Sequence, residues 1–461
     1  MRITLLHPPR TGGAGTNLVP PIGLLYLGAV LEKAGHIVSL VDAALTGHTD
    51  KILQDDIIET APDLLMISAF TSDVFRLRSQ ITSLRRMLPE TPFWLGGPHA
   101  SCAGLQVLID FPEIDAFFMG ESEESVLELI SSDSSEKAPD GVVLRTAPSA
   151  THPRHIHDLS VLPVPAWHLA PPEKYRGLPN GVILKRLPYA PILATRGCPY
   201  KCTFCAGFRT TGREIRKRPL PQVWKEIEIL IQDYGVKEIH IEDDNFSLDY
   251  DYVSEFCREA IRRNLPVLFS TPNGIRLDTL DDELLELMKK AGWYIIHCGI
   301  ESGSDRILKK IKKATTTKIL QEKIDLIHKH GLPVVGYFIL GIPDETEEDI
   351  METIRFSLSS GIEWAQFASF LPIPGSEDGD KFLRNHDLAS EGWKKFHNTT
   401  CVAPPDTISR KRMKHLQRKA FLSFYLRPRP FLRVIGLFYH TGSSGRLLRR
   451  ILAYLMTGKE Y

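Results

Sequence analysis

No run of about 18 apolar residues occurs in this 461-residue chain, so a membrane-spanning helix is not expected. Net charge is missing too: 56 Lys and Arg balance 56 Asp and Glu, which argues against a generally basic nucleic-acid coat. Seven cysteines are too few and too clustered for a disulfide framework. No low-complexity tract is visible, and no internal repeat beyond a recurring βα unit. The opening MRITLLHPPR has neither the apolar run nor the small-residue cleavage site of a secretory signal, so the expected location is the cytoplasm, with thiols reduced.

What is present is ordinary globular composition, 43% apolar and 24% charged, over a length sufficient for several domains. Short apolar runs at Arg2 to His7, Ile37 to Asp42, Leu64 to Ser68, Phe93 to Gly97 and Ala116 to Met119 read as buried strands. The amphipathic stretches between them, Gly23 to Lys33, Asp50 to Ala61 and Asp73 to Leu88, followed by Glu121 to Ser131, read as helices. Such alternation implies an α/β fold with a doubly wound parallel sheet, whose ligands bind beyond the strand carboxyl ends. Unusual loops sit at those ends: His7-Pro8-Pro9, Ser68 to Thr71, Gly96-Gly97-Pro98-His99 and Gly120-Glu121.

Residues 148 to 191 carry nine prolines and little periodicity, as a linker would. A second series follows, with strands expected at Ile192 to Thr195, Glu238 to Glu242, Val267 to Ser270, Tyr294 to Gly299, Val334 to Leu340 and Trp364 to Leu371. Six such strands suit a partial or complete parallel barrel. After Pro374 the pattern is helical and irregular. The expected organisation is 1–147 sheet domain, 148–190 linker, 191–375 barrel and 376–461 helical, basic carboxyl region.

From Cys401 to Tyr461 there are 13 Lys or Arg against Asp406 and Glu460, so a basic tail follows an acidic body. That tail, with Phe424, Tyr425, Phe431, Phe438 and Tyr439, suits an anionic membrane surface or an acidic substrate, and equally a solvated surface of helix-capping charges.

The sharpest motif is TRGCPYKCTFCAGF, placing Cys198, Cys202 and Cys205 in CxxxCxxC spacing directly after a strand. Three thiolates in a glycine-containing loop can converge on an iron–sulfur or other soft-metal centre. A structural zinc site would want a fourth Cys or His nearby, and none follows closely.

With its place at the first barrel strand and Phe204 between the last two cysteines, this motif resembles the radical S-adenosylmethionine superfamily. The resemblance implies a 4Fe-4S cluster on Cys198, Cys202 and Cys205, with S-adenosylmethionine chelated at the fourth iron and cleaved to a 5′-deoxyadenosyl radical, and Phe204 packed on the adenine. It also implies a partial TIM-type barrel and roles in binding S-adenosylmethionine for Glu242, Asn273, Arg276, Glu301 and Gly341. Glu242 lies where the family contacts the methionine amino group, although the usual Gly-Gly-Glu is absent. For Arg276 a surface ion pair, and for Glu301 a helix-capping carboxylate, are the open alternatives.

The amino-terminal half, through PPIGLLYLGAVLEKAGH, GGPHA and MGESEES, resembles the Rossmann-like cobalamin-binding domain that precedes many radical S-adenosylmethionine enzymes. Pro21, Gly23, Ser68, Gly96, Gly97, His99, Gly120 and Glu121 would then contact cobalamin, His99 as a polar loop residue near the corrin or its tail. Tyr26 and Leu27 read as core and pocket floor; Cys102, Cys257 and Cys401 read as structural. No DxHxxG sequence is present to supply a lower cobalt ligand. The segment RKAFLSFYLRPRPFLR resembles relatives of the anaerobic magnesium-protoporphyrin monomethyl ester cyclase.

The expected activity is therefore cobalamin-dependent methylation of an unactivated carbon in a small molecule, served by an electron donor such as flavodoxin or ferredoxin. A radical cyclase or rearrangement enzyme, and a non-catalytic cluster or cobalamin sensor, are the alternatives. The organised polar strand ends speak against the sensor.

Overall fold

The computed structural model describes residues 1–9, 19–46, 50–132, 138–176, 184–386, 396, 401–428 and 430. Strands β1 (Arg2–His7), β2 (Ile37–Asp42), β3 (Leu64–Ser68), β4 (Phe93–Gly96) and β5 (Ala116–Phe118) pair in parallel, and β6 (Val142–Leu144) adds an antiparallel edge. The order β2-β1-β3-β4-β5-β6 changes direction at β1 and β3. A crevice opens at such a switch point because the flanking connections leave toward opposite sides. The edge strand was not foreseen; three residues carry too little pattern.

The helix Ile22–Lys33 is buried along Leu24 to Leu31, more than one amphipathic face requires. Its two sides explain this. Leu24, Leu27 and Leu31 pack against the sheet with Ile3 and Leu5, whereas Leu25 joins the barrel core with Trp167 and Tyr26 packs against Ile156 and Leu159. A Cβ on Gly28 would lie 2.7 Å from Leu169 Cδ1, so glycine lets the linker pass close to the helix. Main-chain bonds tie the linker down, Ala166 N–H to Leu25 and Glu121 N–H to Arg154.

In the second half, β7 (Tyr189–Ile192), β10 (Glu238–Ile241) and β11 (Leu268–Ser270) form one parallel sheet in the order β11-β10-β7. β12 (Ile296–Glu301), β13 (Val334–Leu340) and β14 (Trp364–Ser369) form another. Bridges Phe269–Trp293 and Ile275–Cys298 join the two into an open barrel wall. The helix Leu220–Tyr234 buries Val223, Ile227 and Leu230 against it and stops at Gly235, whose φ of 64° is left-handed.

The strand expected at Ile192 to Thr195 is misplaced, since the barrel strand runs from Tyr189 to Ile192 and residues 193 and 194 are not in a strand. β7 ends at Ile192, and Thr195–Arg196 (β8) pairs antiparallel with Arg216–Lys217 (β9) in front of the barrel. Asp243 causes the break: its carboxylate accepts Ala194 N–H and Thr195 N–H at 2.8 Å and the Thr195 hydroxyl at 2.7 Å, replacing ladder bonds. Arg196 is thereby redirected across the barrel mouth.

The helix Arg410–Tyr425 closes the described chain over β14, burying Met413, Leu416, Ala420 and Phe424. The Tyr425 hydroxyl donates to Ala365 O at 2.7 Å, so both aromatic residues belong to packing rather than to an exposed surface. Phe431, Phe438, Tyr439 and the rest of the basic tail lie outside the described residues. Among the described residues no helix is long and apolar enough to cross a membrane.

Candidate cofactor site

The cysteine loop is held by several elements. Gly197, at φ +100°, passes so close that a Cβ would lie 2.0 Å from Glu214 O. Cys198 N–H donates to Gly212 O at 3.1 Å, and Asp244 accepts Gly197 N–H at 3.3 Å and the Thr211 hydroxyl at 2.5 Å. On the far side Thr203 N–H reaches Ile311 O, and the Thr203 hydroxyl donates to Asp378. Cys198, Cys202 and Cys205 are all free thiols on this braced loop, Cys205 exposed and the others half-buried.

Burial pushes the thiols of half-buried Cys198 and Cys202 upward. Cations oppose that shift: Lys313 favours the Cys202 thiolate, and Arg276 favours those of Cys198 and Cys202. Three soft donors beside two fixed cations fit an iron–sulfur cluster, whose metal deprotonates its thiols outright. Among the described residues, no three His, Cys, Asp or Glu side chains are gathered as closely as the ligands of a single metal ion.

Arg276 is not a surface ion pair. It is 7% exposed, bonds Asp278 through Nε and Nη2 at 2.9 and 2.8 Å, and stacks 3.8 Å above the Tyr200 ring of the cysteine loop. Glu301 does not cap the helix that follows; its carboxylate takes Lys313 Nζ at 2.8 Å, both side chains being buried. Glu301 also holds φ +67°, a conformation a non-glycine residue keeps only when its surroundings impose it. Lys313, in the run KKIKKATTTK, carried no sequence signal that separated it from its exposed neighbours. Phe204 packs half-buried on the barrel core. Gly341, at φ +84°, gives its N–H to Glu345 at 2.5 Å and packs under Met413 and Pro405.

A cavity of about 510 Å³ lies between the two halves. Pro21, Gly23, Ser68, Gly96, Gly97, Gly120 and Glu121 line it from the carboxyl ends of the first sheet, and Leu193, Arg196, Thr211, Glu242 and Asn273 from the barrel mouth. Leu27 contributes to its lining, whereas Tyr26 lies buried beneath Arg196 and Arg218. Asn273 Nδ2 donates to the main-chain carbonyl of Glu242 at 2.6 Å, both residues line the cavity, and burial pushes the Glu242 carboxyl up to about 7. These two residues, assigned to S-adenosylmethionine from the sequence, thus face the space that the first domain also lines.

His99 requires correction. It is fully buried in the helix Pro98–Ala103, with Nε2 3.4 Å from Asp110, Nδ1 3.3 Å from Thr71 and an edge toward Phe111. It holds the first domain together and does not line the cavity. Glu121 lines the cavity, yet both its oxygens are committed, to Arg216 at 2.8 and 2.7 Å and to Ile156 N–H at 2.7 Å. Its carboxylate positions the barrel mouth against the linker. Cys257 and Cys401 are buried, as is Cys298, whose thiol burial pushes to about 12. Cys102 instead stands half-buried with Sγ 4.0 Å from Ala206 O, against the cysteine loop. His7, which the sequence offered only as part of an unusual loop, also lines the cavity.

A radical SAM superfamily model matches residues 192–357, and a B12 binding domain model matches residues 13–130. A protein described as an uncharacterized methyltransferase from Pyrococcus horikoshii is 30% identical over 96% of this chain and 96% of its own length. The chain belongs to the cobalamin-binding radical S-adenosylmethionine enzymes. The anaerobic magnesium-protoporphyrin IX monomethyl ester cyclase of Rubrivivax gelatinosus is 28% identical over 92% of this chain and 79% of its own. Among solved structures, the radical S-adenosylmethionine methyltransferase TsrM of Kitasatospora setae, with cobalamin and a 4Fe-4S cluster bound, superposes with a TM-score of 0.67 at 18% identity. That likeness covers 83% of this chain and 75% of TsrM, and it shows the shared fold. S-adenosylmethionine, a 4Fe-4S cluster and cobalamin are this family's cofactors, and the thiol loop and two-sided cavity suit them.

Proposed function

We propose that this enzyme methylates an unactivated carbon of a small molecule, working in the cytoplasm with an electron donor such as flavodoxin or ferredoxin. The observation that carries the reading is the single cavity lined jointly by the strand ends of the first sheet and by Glu242 and Asn273 of the barrel. When bound, the cluster with S-adenosylmethionine supplies a hydrogen-abstracting radical, and cobalamin supplies the methyl group. The protein's own part is to bind, orient and exclude water.

Cys198, Cys202 and Cys205 would hold the cluster at one side of the barrel mouth, and Asp244 and Asp378 fix the loop that carries them. Arg276 and the Lys313–Glu301 pair place fixed charge beside the sulfurs, and Glu301 is the carboxylate for the ribose hydroxyls of S-adenosylmethionine. Ser68, Gly96, Gly97 and Gly120 give the backbone close approach to cobalamin, and Glu242 and Asn273 present a carboxyl and an amide to S-adenosylmethionine. The described part of the basic helix Arg410–Tyr425 leaves its cationic face exposed, suiting an acidic or lipid-like substrate or a membrane surface.

The test is anaerobic reconstitution with hydroxocobalamin, reductant, S-adenosylmethionine and a host-cell extract. Extract-dependent S-adenosylhomocysteine together with 5′-deoxyadenosine supports methyl transfer. Deoxyadenosine without S-adenosylhomocysteine favours the second reading, a radical cyclase, which the similarity to the magnesium-protoporphyrin ester cyclase along most of the chain supports.

A further inference from the structure

The helix Arg410–Tyr425 holds six Lys or Arg residues and no acid. Met413, Leu416, Gln417, Ala420 and Phe424 recur at helical spacing and turn one side of it into the protein over β14. Lys411, Lys414, His415, Arg418 and Lys419 are left exposed on the other side. Little of this charge is matched within the chain. Arg412 is held by Glu347, with Nε at 2.9 Å, but Lys411, Lys414 and Lys419 have no ion pair among the described residues. Arg410 and Lys414, and again Lys414 and Arg418, stand four residues apart, where like charges destabilise a helix. A negative surface laid along this face removes that cost.

Two observations decide which surface it is. No residue of this helix lines the cavity, so its cations do not reach a ligand held there. The outward line is also not cationic throughout: from Lys411, His415 and Arg418 it runs on at helical spacing to half-buried Leu422 and then to Leu426, which is 65% exposed just past the last turn. The sequence beyond keeps the same mixture, RPRPFLRVIGLFY over residues 427–439, again with no acid. An acidic protein would answer the cations alone. An anionic bilayer answers both parts, with headgroup phosphates for the lysines and an acyl boundary for the leucine.

We infer that this outer face docks the enzyme on an anionic membrane surface, with Lys411, Lys414 and Lys419 in the headgroup layer and Leu426 at the acyl boundary. The contact is peripheral, and the inference is independent of the reaction proposed above.

The test is sedimentation of the full-length protein with vesicles of phosphatidylcholine alone or mixed with phosphatidylglycerol, at low and high salt. Binding to the mixed vesicles that falls as salt rises, and is far weaker without phosphatidylglycerol, supports the inference. Lys411→Gln, Lys414→Gln and Lys419→Gln together should weaken binding about 10- to 100-fold at low salt, whereas Arg at the same three positions should retain it. Leu426→Ser should weaken binding about 3- to 10-fold at either salt. No binding of the unaltered chain to the mixed vesicles at low salt overturns the inference, as does full binding by the triple Gln variant. Capture of a purified ferredoxin by the same lysines, without vesicle binding, overturns it in favour of an acidic protein.

Discussion

Arg196 donates to Glu123 at 2.7 Å across the junction of the two halves, with both side chains more than nine-tenths buried. Arg196 precedes Gly197 and the first cysteine, and Glu123 opens the helix after β5, so the pair fixes the cysteine loop relative to the first sheet. Glu121 reinforces it, 3.6 Å from Arg196 and doubly bonded to Arg216.

Removing one member of such a pair strands a buried charge. Arg196→Met should cost about 3 to 5 kcal/mol in urea unfolding, whereas removing both charges with Arg196→Met and Glu123→Leu should recover part of that loss. A double-variant loss equal to the sum of the Arg196→Met and Glu123→Leu losses would mean that the pair is not coupled.

Glu242 should make ligand binding depend on pH. Its neighbours in the wall are His240, Tyr189 and Tyr337, and burial already places its pKa at about 7. A ligand that desolvates the carboxyl further favours the protonated form, so affinity should be greatest below pH 7 and fall above it. Titrations of the cluster-loaded protein with S-adenosylmethionine between about pH 6 and 8.5 should show this slope for the unaltered chain and a flat profile for Glu242→Gln.

Glu345 makes the corresponding statement about folding. Burial raises it to about 8 even though it accepts Gly341 and Ile342 N–H. A carboxyl raised in the folded state contributes stability that is full below its unfolded value and is lost as pH rises through the folded value. Thermal midpoints should therefore decline from about pH 5 to 8, and Glu345→Gln, whose amide oxygen can still accept both N–H groups, should flatten that decline.

Gly303 tests how tightly the loop after β12 is packed. An alanine Cβ there would lie 2.5 Å from Phe356 Cβ and 2.8 Å from Thr353 Cα. Neither atom is the free end of a side chain, so Gly303→Ala should destabilise by about 1 to 3 kcal/mol, read from the denaturation midpoint.

The buried parallel strands were legible because each is a short apolar run closed by a turn signal; Val334 to Leu340 is β13 to the residue. The loops after those strands were legible for the same reason, and most residues drawn from them line one cavity. Side-chain direction was not. His7 and His99 both sit at strand ends next to prolines, yet one lines the cavity and the other packs against Asp110, a difference set by contacts 35 residues or 11 residues away along the chain. Lys313 and Asp243 were hidden likewise, since a lysine among lysines and an aspartate among acids reveal their partners only when the chain is folded.

The measurement that bears most directly on the whole account is deoxyadenosine formation by reconstituted single variants Cys198→Ala, Cys202→Ala and Cys205→Ala, with iron quantified in the same samples. The account predicts that each variant loses the cluster and yields no 5′-deoxyadenosine above a protein-free control. Production retained by a variant shown to contain no cluster would contradict it.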